Sequence, residues 1–408
     1  MKLDRILVVF GTRPEAIKMA PVVEALRSSS AFQVKVCVTA QHRELLNQVL
    51  ATFSITPDFD LNLMQPNQQL AELTARVLCG MSDLYRACRP DLVLVHGDTT
   101  TTFAASLAAF YERIPAAHVE AGLRSHDKYS PWPEESNRCL ASVLATWHFA
   151  PTVAAKTNLL LEGINPESVI VTGNTIVDAV KQIVSRFDED SKLRDFYDRR
   201  FSYLDPTRRL LLVTAHRRDS FGEGFKRICA ALQELALRKD VEIVYPVHPN
   251  ENVCKPVQKM VGGIANIHLI PPQEYLSFVY LLRRCRLILT DSGGIQEEGT
   301  FLRKAVLLMR DTTERPEAVD TGAVKIVGTD VRTIVERVGR LLDDRDAYED
   351  MIQTVCPFGD GHAAYRIVKH LELSRGVEVA TNLRWIPAGD LAVIRQNLSR
   401  DQRRGGSW

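Results

Sequence analysis

Two successive series of short apolar runs, each alternating with helical stretches, constrain this 408-residue chain more than any other feature. In the first half the runs are RILVVF (5–10), FQVKVCV (32–38), DLVLVH (91–96), IPAAHV (114–119), TWHFA (146–150) and SVIVT (168–172). They are rich in Val, Ile and Leu and mostly continuous in apolar character. Such runs predict strands covered by helices on both sides, hence a parallel sheet. A charged stretch at 185–209, read as a helix plus a linker, interrupts the pattern. It restarts with LLLVTAH (210–216), VEIVYPV (241–247), NIHLI (266–270), RLILTD (286–291), KAVLLM (304–309) and AVKIVG (323–328). The expected fold class is therefore α/β, with two doubly wound domains and a central cleft. Expected boundaries are 1–180 and 205–358, followed by a helix at 359–376 packing back on the first domain. The polar tail at 377–408 is expected to be partly disordered and is given no chemistry.

Composition narrows the class of partner. The chain is 45% hydrophobic and 25% charged with a net charge of +1, which offers no general argument for nucleic acid or an anionic membrane. No apolar run approaches membrane-spanning length. The N-terminal MKLDRILVVFG has too short an apolar run for a signal segment and reads as a first strand. Eight cysteines are scattered without a C-x-x-C pair. That favours reduced, buried thiols in a cytosolic protein over a disulfide frame or a zinc site.

In open α/β sheets ligands gather at the carboxyl ends of strands. The first such turn, FGTRPEAIKMAP, lacks G-x-G-x-x-G, which counts against a dinucleotide site. Arg13 stands at the mouth of its helix and Lys18 in the second turn, where an anion would relieve the conflict with the helix dipole; plain surface charge is the alternative. In HGDTTTTF, Asp98 or Thr99 caps the helix, or Asp98 is a ligand contact. HVEAGLRSHDKYSPWPEESNR (118–138) is long for a connection and carries Glu120, Asp127, Glu134 and Glu135 around Pro131 and Pro133. His216 and Arg217 leave the first strand of the second series as an anion grip or a solvated basic turn. LTDSGGIQEEGTF (289–301) ends a buried strand at Asp291 and opens a helix with Ser292, Gly293 and Gly294. Backbone N–H groups there can approach an oxyanion. Glu297 and Glu298 follow one turn later, and Arg315 lies in the next loop. No P-loop sequence and no convincing metal spacing occur.

Taken together, FGTRPEAIKMAP, TAQHRELL, LVHGDTTTT, HVEAGLRS, YSPWPEE, GNTIVDA, HRRDSFG, VYPVH, TDSGGIQEE, RDTTERPEA and PFGDGHA resemble the bacterial non-hydrolysing UDP-N-acetylglucosamine 2-epimerases, over roughly residues 4 to 370. The resemblance implies a glycosyltransferase-B-like pair of Rossmann-like domains, usually a homodimer in the cytoplasm. It implies interconversion of UDP-GlcNAc and UDP-ManNAc for surface polysaccharides, without a cofactor. By that resemblance Asp98, Glu120 and Glu134 are the acids of proton transfer, and His216 stands by the diphosphate. Arg13, Lys18, Gln273, Phe278, Ser292, Gly293, Gly294, Glu298 and Arg315 are substrate contacts. Gln41 and His42 match the site of a second UDP-GlcNAc that acts as an activator, joined by Glu135 and Arg217; a structural pairing of Glu135 with Arg138 is the other reading.

One segment departs from the family pattern. After SGGIQEE this chain continues GTFLRKAVLL (299–308), without the usual prolines and glycine, which puts the local helix geometry in question. The competing expectations are a hydrolysing epimerase releasing ManNAc and UDP, a glycosyltransferase, and a silent nucleotide-sugar-binding regulator.

Overall fold

A computed structural model describes residues 3–39, 43–63, 68–217 and 221–375. The chain divides into two compact units, one formed by 1–178 with 361–408 and the other by 179–360.

In the first unit the strands are β1 (Arg5–Phe10), β2 (Gln33–Val38), β3 (Phe59–Asp60), β4 (Leu92–His96), β5 (Ala116–Val119), β6 (Trp147–Ala150) and β7 (Val169–Val171). They form one parallel sheet in the order β3-β2-β1-β4-β5-β6-β7. Central strands β4, β5 and β6 are buried at every residue, as continuous apolar runs require when both faces are covered. The covering helices are α1 (Arg13–Ser28), α2 (Arg43–Thr52), α3 (Leu70–Cys88), α4 (Thr100–Tyr111), α5 (Glu134–Leu144), α6 (Val153–Leu161) and α7 (Thr175–Glu189), the last crossing into the second unit. On one face Leu7, Val9, Val93 and Val95 pack against Val77, Met81 and Tyr85 of α3 and the alanines of α4. Only β3 has no counterpart in the sequence pattern; two residues are too few to show a periodicity.

The second unit continues with α8 (Ser191–Arg200), β8 (Arg209–Thr214), α9 (Glu223–Ala236), β9 (Val241–Pro246), α10 (Glu251–Val261), β10 (Ile267–Ile270), α11 (Tyr275–Arg284), β11 (Leu287–Thr290), α12 (Gly293–Phe301), β12 (Ala305–Leu308), α13 (Pro316–Asp320), β13 (Val324–Ile326), α14 (Val331–Asp343) and α15 (Arg345–Ile352). Its sheet is parallel in the order β10-β9-β8-β11-β12-β13. Residues 185–209 thus carry the end of α7, all of α8 and the start of β8. The unusual segment after SGGIQEE leaves regular structure in place: α12 runs to Phe301, and β12 pairs with β11 through four residues.

The closing helix α16 (Ala363–Leu373) belongs to the first unit. Its N-terminus is held by Asp178, whose two oxygens accept from the Ala363 and Ala364 N–H groups at 3.1 and 2.8 Å. A carboxylate there satisfies amides that have no intrahelical partner. The tail expected to be partly disordered lies, from residue 376 onward, outside the described residues. Cys37, Cys229 and Cys285 are buried as expected, but Cys79 is exposed, because it falls on the outer side of α3.

Candidate active site

Parallel strands put all their carboxyl ends on one edge, so residues far apart in sequence meet there. In the first unit that meeting centres on Glu120, the first residue after β5 and one held at a positive φ of 63°. Its carboxylate is buried. Oε2 is ion-paired with Lys18 of α1 and accepts from Asn174 Nδ2, just after β7, at 2.6 Å. His96, the last residue of β4, lies with Nε2 3.8 Å from the same oxygen. Burial pushes His96 down to about 4, against the opposing pull of Glu120, so the ring is neutral near pH 7. Lys18 is therefore turned toward Glu120 inside the unit rather than lying as surface charge.

The first turn itself is stabilised by a residue whose role the pattern reading did not assign. Glu15 Oε2 accepts from the Gly11 and Thr12 N–H groups at 2.9 and 2.7 Å, and Thr12 caps α1 in return. Its other oxygen accepts from the hydroxyls of Thr99 and Thr102, at 2.7 and 3.2 Å. Glu15 thereby ties the turn after β1 to the turn after β4, and burial pushes its carboxyl above the usual carboxylate value despite those bonds. The Thr-x-x-Glu spacing at 12–15 was a readable signal for the cap; the link to Thr99 was not.

Asp98 is not the cap of α4. Thr99 takes that position, accepting from Thr102 N at 3.2 Å, and leaves Asp98 to pair with Arg138 of α5. Arg138 also meets Glu135 at 3.2 Å, and Glu135 Oε1 accepts from the Ser125 and His126 N–H groups at 3.0 Å each. This is the structural pairing left open for Glu135. The long loop from Glu120 to Pro133 is pinned elsewhere by the buried Arg124. It donates to both oxygens of Glu162 at 2.6 and 2.7 Å, to Leu123 O and to Ser142 Oγ. Both proline peptide bonds in the loop, at Pro131 and Pro133, are cis. Glu134 opens α5 half-buried, and no hydrogen bond or ion pair joins it to Asp98 or Glu120 among the described residues.

At the carboxyl edge of the second sheet, Asp291 follows β11 and is fully buried. Its Oδ2 accepts from the His216 and Arg217 N–H groups at 2.6 and 2.7 Å, and Oδ1 lies 3.2 Å from His216 Nδ1. The His216 ring stacks on His248 with centroids 5.8 Å apart. Burial opposes the charge of Asp291, but the hydrogen bond and charge of His216 and the two amides hold it below the ordinary carboxylate value. Beside it, Arg315 donates to Glu297 Oε1 at 2.6 Å and to Glu314 Oε1 at 3.0 Å. Glu314 also takes Arg310 at 2.7 Å and Arg217 at 3.5 Å. Burial works against its ionisation, yet Arg315, Arg310 and Arg217 outweigh that and hold Glu314 well below the carboxylate range.

Gly293 leaves room for Arg315: a Cβ there would stand 2.3 Å from Arg315 Nη1 and would displace the guanidinium. Ser292 N donates to Thr290 Oγ1 at 2.9 Å, and Gly294 has open space where a side chain would be. Glu298 is buried and accepts from Tyr275 OH at 2.8 Å. Gln273 donates to Pro271 O at 2.6 Å, and Phe278 is half-buried on α11. Arg13 is the first residue of α1. Gln41 and His42 lie outside the described residues. Among the described residues no group of three or more His, Cys, Asp or Glu is placed to hold a metal ion, and no helix is long and apolar enough to cross a membrane.

The structure thus brings Lys18, His96, Glu120 and Asn174 together, joins Asp98 to Glu135 through Arg138, and gathers His216, Arg217, Asp291, Gly293 and Arg315 with Glu297 and Glu314. Asn174 and Glu314 stood inside recognised motifs, yet no local spacing announces contacts across such separations.

Known proteins share this arrangement of sheets. A family profile described as UDP-N-acetylglucosamine 2-epimerase matches residues 24–372. The chain is 55% identical over 372 residues to a UDP-N-acetylglucosamine 2-epimerase from an Escherichia coli strain, covering 91% of this chain and 99% of that one. It is similar to the crystal structure of UDP-GlcNAc 2-epimerase from Neisseria meningitidis bound to UDP-GlcNAc, with a TM-score of 0.87, 50% identity, and coverage of 90% of this chain and 100% of that one. It is also similar to the Methanocaldococcus jannaschii UDP-GlcNAc 2-epimerase in complex with UDP-GlcNAc and UDP, with a TM-score of 0.78, 33% identity, and coverage of 90% and 99%. With identity at this level sustained over nine-tenths of its length, the chain belongs to the UDP-N-acetylglucosamine 2-epimerase family.

Proposed function

We propose that this member of the family interconverts UDP-GlcNAc and UDP-ManNAc by eliminating UDP and adding it back, without hydrolysis, and so supplies precursors of surface polysaccharides. The chemistry dictates the route. The hydrogen on C2 of an N-acetylhexosamine has no neighbouring carbonyl carbon to stabilise a carbanion, so its direct removal faces a very high barrier. The chain has no nicotinamide fingerprint for a ketone route. Loss of UDP from C1 together with the C2 proton gives 2-acetamidoglucal. UDP then re-adds while C2 is reprotonated on the opposite face. That sequence needs carboxyl groups near the sugar and cations or proton donors on the departing diphosphate.

The observation that carries this reading is the buried Glu120, held by Lys18 and Asn174 beside a neutral His96. A carboxylate fixed in this way is suited to proton transfer, and Asp98 and Glu134 complete the acid set. His216, Ser292, Gly293 and Gly294 serve the diphosphate, Glu298 the ribose, and Gln273 and Phe278 the uracil, with Arg13, Lys18 and Arg315 as further nucleotide-sugar contacts. The relative solved with UDP-GlcNAc supports the substrate assignment. The same reading includes a homodimer and a second UDP-GlcNAc as activator at Gln41, His42, Glu135 and Arg217.

Turnover of UDP-GlcNAc in D₂O, followed by proton NMR, tests the route. Deuterium is expected at C2 of both sugars, and retention of the original hydrogen through complete epimerisation rejects elimination. Accumulation of free ManNAc in place of UDP-ManNAc would establish the hydrolysing reaction instead. A smaller effect is expected at Asn174. Its replacement by Ala removes a hydrogen bond to a charged group, worth about 1.5–3 kcal/mol, and lowers kcat/KM by about 10-fold or more. An unchanged kcat/KM would show that the Asn174 contact does not serve the reaction.

A further inference from the structure

His216 is surrounded asymmetrically, and the asymmetry specifies its protonation. Asp291 is fully buried, and its Oδ2 is occupied by the His216 and Arg217 amides. Among the described residues its Oδ1 has no hydrogen-bond partner other than the 3.2 Å ion-pair contact with His216 Nδ1. A buried carboxylate oxygen left without a proton donor is strongly disfavoured, so the arrangement calls for a hydrogen on Nδ1. Among the described residues the other polar groups facing this pair do not compete for that role. His248 packs against the face of the ring. Tyr245 turns its hydroxyl to Ala215 O at 2.9 Å, and Arg217 directs its guanidinium toward Glu314. The ring is 40% exposed, which leaves its outer edge accessible.

We propose that Asp291 is a positioning residue that holds the hydrogen on His216 Nδ1 and stabilises the imidazolium, whose Nε2–H is then turned outward to donate to the departing diphosphate. The inference rests on the epimerase reading for its substrate, though not for its geometry. In the forward step the C2 proton passes to a carboxylate and the C1–O electron pair leaves with the β-phosphate. The imidazolium gives its Nε2 proton to that phosphate oxygen and remains a neutral ring with hydrogen on Nδ1. On re-addition the phosphate returns its proton to Nε2 as the C1–O bond re-forms, while C2 takes a proton from an acid on the opposite face, so no oxidant or co-reactant is needed. Asp291 stabilises the imidazolium without becoming protonated, as the carboxylate does in a hydrolase triad.

The test is nitrogen-15 NMR of the full-length protein with labelled histidine, using His216→Ala to assign the signal. Wild-type His216 is expected to carry hydrogen on Nδ1. In Asp291→Asn the amide oxygen can still accept the two backbone N–H groups, while its NH₂ faces Nδ1 and turns the ring to the Nε2–H tautomer. The kcat of that variant is expected to fall about 100-fold, within the range for loss of general-acid help, with KM changed by no more than about threefold. Neutral wild-type His216 lacking hydrogen on Nδ1 would overturn the proposal, as would an Asp291→Asn enzyme with wild-type kcat. Should the variant fail to fold, the wild-type tautomer alone decides. A wild-type protein with hydrogen on Nδ1 but no turnover of UDP-GlcNAc would refute the epimerase reading while leaving the Asp291–His216 geometry intact.

Discussion

Glu120→Gln lowers kcat for epimerisation by about 10³-fold, within the range that a positioned acid or base contributes. The substitution keeps side-chain volume but replaces one acceptor oxygen with an NH₂ donor and removes both the charge and the group that can carry a proton. It also leaves Lys18 facing a neutral amide in a buried site, and breaking a buried pair by removing one partner costs about 3–5 kcal/mol. Activity and stability therefore fall together in the single variant. The double variant Lys18→Met/Glu120→Gln separates the two effects. Removing both charges relieves the unpaired lysine, so thermal stability recovers toward wild type while turnover stays low. Proton NMR turnover and a thermal melt on the same three proteins make the comparison. Recovery of turnover in the double variant would show that Glu120 acts only by neutralising Lys18, and a single variant within threefold of wild type would remove it from the chemistry.

Gly122→Ala is expected to be the most destabilising single methyl in the loop that carries Glu120. Gly122 has φ of 90°, in the left-handed region, where a side chain costs about 1–2 kcal/mol. A Cβ at that position would stand 2.2 Å from Ala155 O and 3.0 Å from Leu159 Cδ1, both on α6. The first neighbour is backbone and cannot rotate away, which adds about 1–3 kcal/mol of overpacking. Gly122 O also accepts from Asn158 Nδ2 at 2.9 Å, so the loop has no free direction in which to retreat. The melting temperature is expected to fall by about 5–10 °C. Because the displaced backbone lies two residues from Glu120, kcat falls as well. An unchanged melt with unchanged kcat would mean that the loop and α6 are not packed as described.

Much of the fold was legible because it is written locally. Continuous apolar runs marked every strand except the two-residue β3. The motif at 289–301 placed Asp291 at a strand end and a helix start after it. The sequence also suggested that Glu135 could pair with Arg138, since three residues on a helix share a face. It left the cap of α4 open between Asp98 and Thr99, and the structure gives that place to Thr99.

Parallel architecture and the positions of the strand ends follow from the sequence alone, since apolar period and turn residues act within a few positions of one another. Which side chains meet was settled only by tertiary structure. Lys18 and Glu120 are 102 residues apart, and Asp291 is 75 from His216. They meet because only β4 separates β1 from β5 and because β8 lies beside β11, and that strand order is an outcome of packing two faces of helices at once, which no local pattern encodes.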